Sequence, residues 1–148
     1  MPELSQPAQV FLLALLFIMG LYSLLVFAWQ VKVLQGKAMT NVDGSVDSWH
    51  QQKIMYGMAF ADVLIACPAN IAGIVLVFVF PRWGFYLLAL VSFWWVWANV
   101  MTTATSLKFE KPALTLNWVI TFPFGAFIGL AYIIWSMLYF DIIYFKVP

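Results

Sequence analysis

Between Tyr56 and Asn70 the sequence reads YGMAFADVLIACPAN, and a single acid, Asp62, interrupts a stretch that is otherwise free of charge. An aspartate at the centre of a membrane helix costs roughly 2.5–3.5 kcal/mol on insertion scales. Asp62 follows Lys53 by nine residues, about 13 Å along a helix axis, so it lies well inside the hydrocarbon without being central. Ionisable residues in such places face the bundle interior or a cavity. Two kinds of work suit it. It can hydrogen-bond to neighbouring helices and hold them together, or it can bind a proton, a metal cation or a cationic ligand. A hydrogen bond between membrane helices averages only about 0.6 kcal/mol, far less than the insertion cost, so gluing alone is a poor reason to keep an acid there.

The spacing of other polar residues gives Asp62 company. Ala59, Asp62, Ala66, Ala69 or Asn70, and Gly73 recur at three- and four-residue steps, which places them on one helix face. Small residues on one stripe are the signature of close helix contact in membranes. Further along, Ser92, Trp95, Asn99, Thr102, Thr103 and Ser106 share a broad face, and so do Asn117, Thr121, Gly125 and Gly129. Asn99 precedes Lys108 by nine residues and Thr121 follows Lys111 by ten, so Asp62, Asn99 and Thr121 fall at one depth. Thr102, Thr103 and Asn117 lie nearer the basic ends, like the lining of an approach. The expected ligand- or ion-binding site is therefore Asp62, Asn70, Trp95, Asn99, Thr102, Thr103, Asn117 and Thr121. Every Lys, Arg and His stands outside the spans, so no cation is at hand to pair with the carboxyl.

Pro68 and Pro123 each remove a helical N–H and free the carbonyl four residues earlier, at Leu64 and Val119. Freed carbonyls beside an acid can help to hold a cation, although a plain kink is the simpler reading. In SFWWVWAN (92–99), Trp94, Trp95 and Trp97 put indoles near mid-bilayer, where each N–H needs a partner. They serve either packing against lipid and other subunits, or an aromatic wall beside Asp62.

Other reactive residues are few. Cys67 is the only cysteine, so no disulfide forms within the chain, and its apolar setting suits an inert packed thiol. A single histidine, His50, excludes bis-histidine haem ligation and multi-histidine zinc sites. In TNVDGSVDSWH (40–50), Asn41, Asp43, Ser45 and Asp47 alternate somewhat like a calcium loop but lack its closing glutamate. A solvated turn, with Asp47 as a helix cap or paired with His50, accounts for them. No catalytic residues, structural metal or cofactor are assigned. Membrane enzymes work through paired titratable groups or metal clusters, and one buried acid with no base at its depth argues against an enzyme.

The elements that must position these residues follow from composition. The chain has 148 residues, 65% hydrophobic and 9% charged, with a net charge of +1. Soluble domains are near 45–50% apolar and about 25% charged, so the bilayer is the expected partner and nucleic acid is excluded. Charges punctuate four apolar stretches, giving expected spans at about 8–31, 54–80, 83–107 and 112–144. Each exceeds the roughly 20 residues that cross a 30 Å hydrocarbon core. The expected fold is all-α: one polytopic membrane domain of four transmembrane helices in an antiparallel up-down bundle.

Lys32, Lys37, Lys53, Lys108 and Lys111 fall on one face, Arg82 and Lys146 on the other. The positive-inside rule then places both termini on the non-cytoplasmic side of an inner or plasma membrane. FPRW (80–83) makes a tight turn, and Pro112 suits a helix start. The functional expectation is a small membrane protein that binds or transports a small ligand, cation or proton at Asp62 as a homo-oligomer. The alternative is a non-catalytic accessory subunit among other membrane subunits.

Overall fold

The computed structural model describes residues 4–37, 49–110 and 112–146, with the side chains of 49–52, 54, 110 and 146 excepted. The described residues are helical with no strand: α1 (Gln6–Leu34), α2 (Trp49–Ala61), a π-helical turn (Asp62–Ala66), α3 (Cys67–Val79), α4 (Pro81–Thr105) with a π-helical end (Ser106–Glu110), α5 (Leu116–Thr121), α6 (Phe124–Leu138) and a last π-helical turn (Ile142–Lys146). Three runs are long and apolar enough to cross a bilayer: Gln6–Leu34, Met55–Val79 and Pro81–Phe109. Phe17, Ile65, Phe93 and Leu138 stand on the outside, an apolar exterior suited to lipid.

The fourth apolar stretch is not one continuous helix. Residues 112–115 are non-helical, and the helix starts where Thr115 caps it, its Oγ1 accepting the Trp118 N–H at 3.2 Å. Pro112 therefore precedes the helix and does not open it. α5 then stops at Thr121, two residues before Pro123, because a proline inside a helix lacks the N–H and its ring crowds the carbonyl four residues back. α6 resumes at Phe124, with Pro123 O accepting from Ala126 and Phe127. Its 15 residues span about 22 Å.

Packing is organised around α4. Between α3 and α4 the chain reverses through Phe80 alone, at φ −134° and ψ 76°, with Pro81 opening α4. A Cβ on Gly84 would collide with the Val77 backbone, and one on Gly73 would come within 2.8 Å of Leu88. Those two contacts fix the register of a close pair. On its other side α4 meets α6: the Tyr132 hydroxyl donates to Phe85 O at 3.0 Å. Gly125 and Gly129, in the sequence GAFIG, let α6 approach the Asn99 side chain and Ser92 O. α1 closes the group, with Leu12 and Met19 fully buried alongside Phe85, Leu88 and Tyr132.

Candidate functional site: a carboxyl and a small cavity between four helices

Asp62 is the first residue of the π-helical turn, and its backbone carbonyl accepts from Cys67 N–H, five residues on. Pro68 has no N–H to give, so the ordinary four-residue ladder cannot run through this turn. π-turns inside α-helices are often found at functional sites. The turn holds Asp62 inward at 6% exposure, as the small-residue stripe requires.

Both carboxyl oxygens are engaged, each by a different helix. Gln30 Nε2, from the last turns of α1, donates to Oδ2 at 2.8 Å. Trp94 Nε1, from α4, donates to Oδ1 at 3.0 Å. Both partners are neutral. Trp94 is backed by Trp97, with ring centroids 5.3 Å apart.

Beside the carboxyl lies a cavity of about 70 Å³. α1 lines it with Tyr22, Val26, Trp29 and Gln30, and α2 with Met55 and Met58. Trp95, Ala98, Asn99 and Thr102 come from α4, and Thr121 and Phe122 from the end of α5. A water occupies about 30 Å³ of liquid, so the space suits a few waters or a small ion.

Part of the polar lining presents oxygen acceptors. Asn99 Nδ2 donates to Trp95 O at 2.9 Å. Its Oδ1 faces the Tyr22 hydroxyl at 3.4 Å, which also stands 3.5 Å from Ile120 O, next to the break between α5 and α6. The Thr102 hydroxyl donates within its own helix, to Ala98 O at 3.0 Å or Asn99 O at 3.2 Å. Thr121 donates to Asn117 O at 2.8 Å. With their protons so engaged, the Thr102 and Thr121 oxygens, like Asn99 Oδ1, accept from anything else, while Gln30 and Asn99 each keep a second amide N–H. Acceptors around a carboxyl suit a proton, hydrated or not, or a small cation, and repel an anion.

Of the eight residues expected from the sequence, Asp62, Trp95, Asn99, Thr102 and Thr121 line this cavity. Three do not. Asn70 lies two turns deeper, and its Nδ2 donates to Met19 O at 3.1 Å and to Ser23 Oγ at 2.9 Å on α1. Tyr22 and Trp95, edge to face at 5.3 Å, belong to the cavity lining and Asn70 does not. Thr103 turns its hydroxyl into the protein, where it meets no hydrogen-bond partner. Asn117 is exposed, and only its carbonyl takes part, through Thr121. Residues 41–47 of the polar loop lie outside the described residues, as does the His50 side chain. Among the described residues no three of His, Cys, Asp and Glu gather as a metal site.

The eight residues expected from the sequence all belong to the second, third and fourth stretches, whereas Gln30 and Tyr22 come from the first, α1. A signal was present: Met19, Ser23 and Gln30 fall at steps of four and seven, a stripe like that of Asp62. Trp94, and not Trp95, reaches the carboxyl, while Trp95 packs on Tyr22. The chain matches no protein-family model, no curated protein and no solved structure, so the functional reading rests on this site alone.

Proposed function

We propose that this protein crosses the bilayer four times as an antiparallel bundle, with α5 and α6 together making the fourth crossing and both termini on the non-cytoplasmic side. Within it, Asp62 reversibly binds a proton or a small cation, and the protein, as a homo-oligomer, binds or transports that ion. The observation that carries the reading is a carboxyl held by neutral donors from two other helices at the edge of a cavity whose lining includes the acceptor oxygens of Asn99, Thr102 and Thr121. Size supports the choice of ion. Sites for drug-sized ligands run to about 300–1,000 Å³, and this one is about 70 Å³. Its lining comes from the ends of α1, α2 and α4 that carry Lys32, Lys53 and Lys108. On the proposed topology the cavity therefore sits in the cytoplasmic half.

The test is ion uptake by proteoliposomes holding the purified protein, with a pH-sensitive dye inside and, separately, radioactive sodium outside. Wild type is expected to move one of them, and Asp62→Asn to lose that uptake while purifying normally. A wild-type protein that moves and binds neither, paired with an Asp62→Asn variant that fails to assemble, would leave the accessory-subunit reading in its place.

A further inference from the structure

The two donors on Asp62 differ in what they can do. An indole N–H only donates, whereas a primary amide carries donors at one end and an acceptor at the other in nearly the same shape. A carboxylate accepts only, and a carboxylic acid must also place one O–H. Trp94 can therefore serve Oδ1 in both forms, but Gln30 in its present orientation offers a proton on Oδ2 no acceptor. Gln30 lies on the wall of the cavity of about 70 Å³, beside open space rather than packed on every side.

We propose that Asp62 and Gln30 form a proton-binding pair in which Gln30 is the positioning residue, its amide turning end for end when Asp62 is protonated. This rests on the reading that Asp62 binds an ion, and names the ion. A hydronium ion in the cavity gives up its proton, leaving water, and a new O–H bond forms at Asp62 Oδ2. The Nε2–H···Oδ2 hydrogen bond is replaced by Oδ2–H···Oε1. The site goes from one negative charge to none, and each form keeps a hydrogen bond between the two side chains, which favours reversible binding in a buried place.

The surroundings favour a proton over a metal ion. A divalent cation such as calcium takes six to eight oxygen ligands, and one carboxylate stands here, with an N–H on each oxygen. Other groups that could titrate nearby are Tyr22 of α1, across the cavity, and Cys67, at the end of the same turn. α4 and α5 contribute no charged or titratable side chain to the lining. Lys32 and Lys53, on α1 and α2, are exposed.

The experiment is infrared difference spectroscopy of the full chain across pH, alongside nuclear magnetic resonance of protein labelled with ¹⁵N at the glutamine side chains. The acid carbonyl band that Asp62→Asn removes is assigned to Asp62, and the amide signal that Gln30→Leu removes is assigned to Gln30. Gln30→Met, close in volume, replaces Gln30→Leu should that variant not fold. The expected result in wild type is a Gln30 amide signal that shifts with the same midpoint as the Asp62 band, unchanged by added sodium. In the Gln30 variant the acid band should shift, its O–H having lost its acceptor. An Asp62 band that titrates while the Gln30 signal stays still overturns the pair but leaves Asp62 as the ion-binding group. A midpoint that falls as sodium rises overturns the choice of proton in favour of a cation. An Asp62 band that never titrates, with no sodium bound, removes both the pair and the function on which it rests.

Discussion

A carboxyl can sit in a membrane without a cation when its oxygens meet donors held by rigid neighbours, and the two donors of Asp62 differ in what their removal should do. Trp94→Phe deletes the N–H on Oδ1 and keeps most of the ring. We expect it to lower stability by about 1–3 kcal/mol, the cost of leaving a buried acceptor without its donor, more than the roughly 0.6 kcal/mol average for a hydrogen bond between membrane helices. Thermal unfolding in detergent measures this. Asn70→Ala should also destabilise, since it deletes the bonds to Met19 O and Ser23, yet leave ion uptake per folded molecule unchanged. A loss of uptake there would return Asn70 to the site. Asp62 itself is legible in the sequence, because a lone acid in an apolar run has few explanations. Gln30 is not, because it stands two residues before Lys32 and looks like part of a polar helix end. Charge marks a residue in a sequence, whereas a neutral amide gains its meaning only from what lies opposite.

Among the elements, glycines separate tight contacts from open ones. A Cβ at Gly129 would stand 2.6 Å from Ser92 O, whereas one at Gly57 has nothing within 4 Å. Gly129→Ala should therefore push α6 off α4 and cost about 1–3 kcal/mol, as overpacking does. Gly57→Ala, in the middle of α2, should raise stability by about 0.4–1 kcal/mol by restricting the unfolded chain. Melting curves of the two variants, run side by side, test both signs. The GAFIG spacing makes the α6 contact readable from sequence, and Pro123 makes the break before it readable. The π-turn at Asp62 is harder to foresee. Pro68 signals a disturbed ladder, but whether a helix answers with a kink or with a wider turn is settled by its neighbours.

For the whole molecule, the charge pattern locates the apolar stretches but not how the last one is built. Three long apolar helices match the first three stretches closely. The fourth is assembled from α5, a break and α6, since hydropathy is blind to where hydrogen bonds are interrupted. The proposed topology predicts a labelling pattern in cells. With Cys67 replaced by Ala, Ser5→Cys should react with a membrane-impermeant maleimide added from outside. Lys37→Cys should react only after the membrane is opened. Reversed reactivity would invert the orientation and put the Asp62 cavity in the outer half.

The reversal at Phe80 also bears on biosynthesis. With one residue between α3 and α4, no loop exists for the insertion machinery to thread across on its own. The hydrophobic run ending at Val79 must wait until enough of α4 has left the ribosome, and the pair must then enter the lipid as a hairpin. Because α1 anchors either chain, the readout is the second segment: Met55–Val79 should be open to added protease in nascent chains cut just after Arg82 and protected in those extended through Thr105.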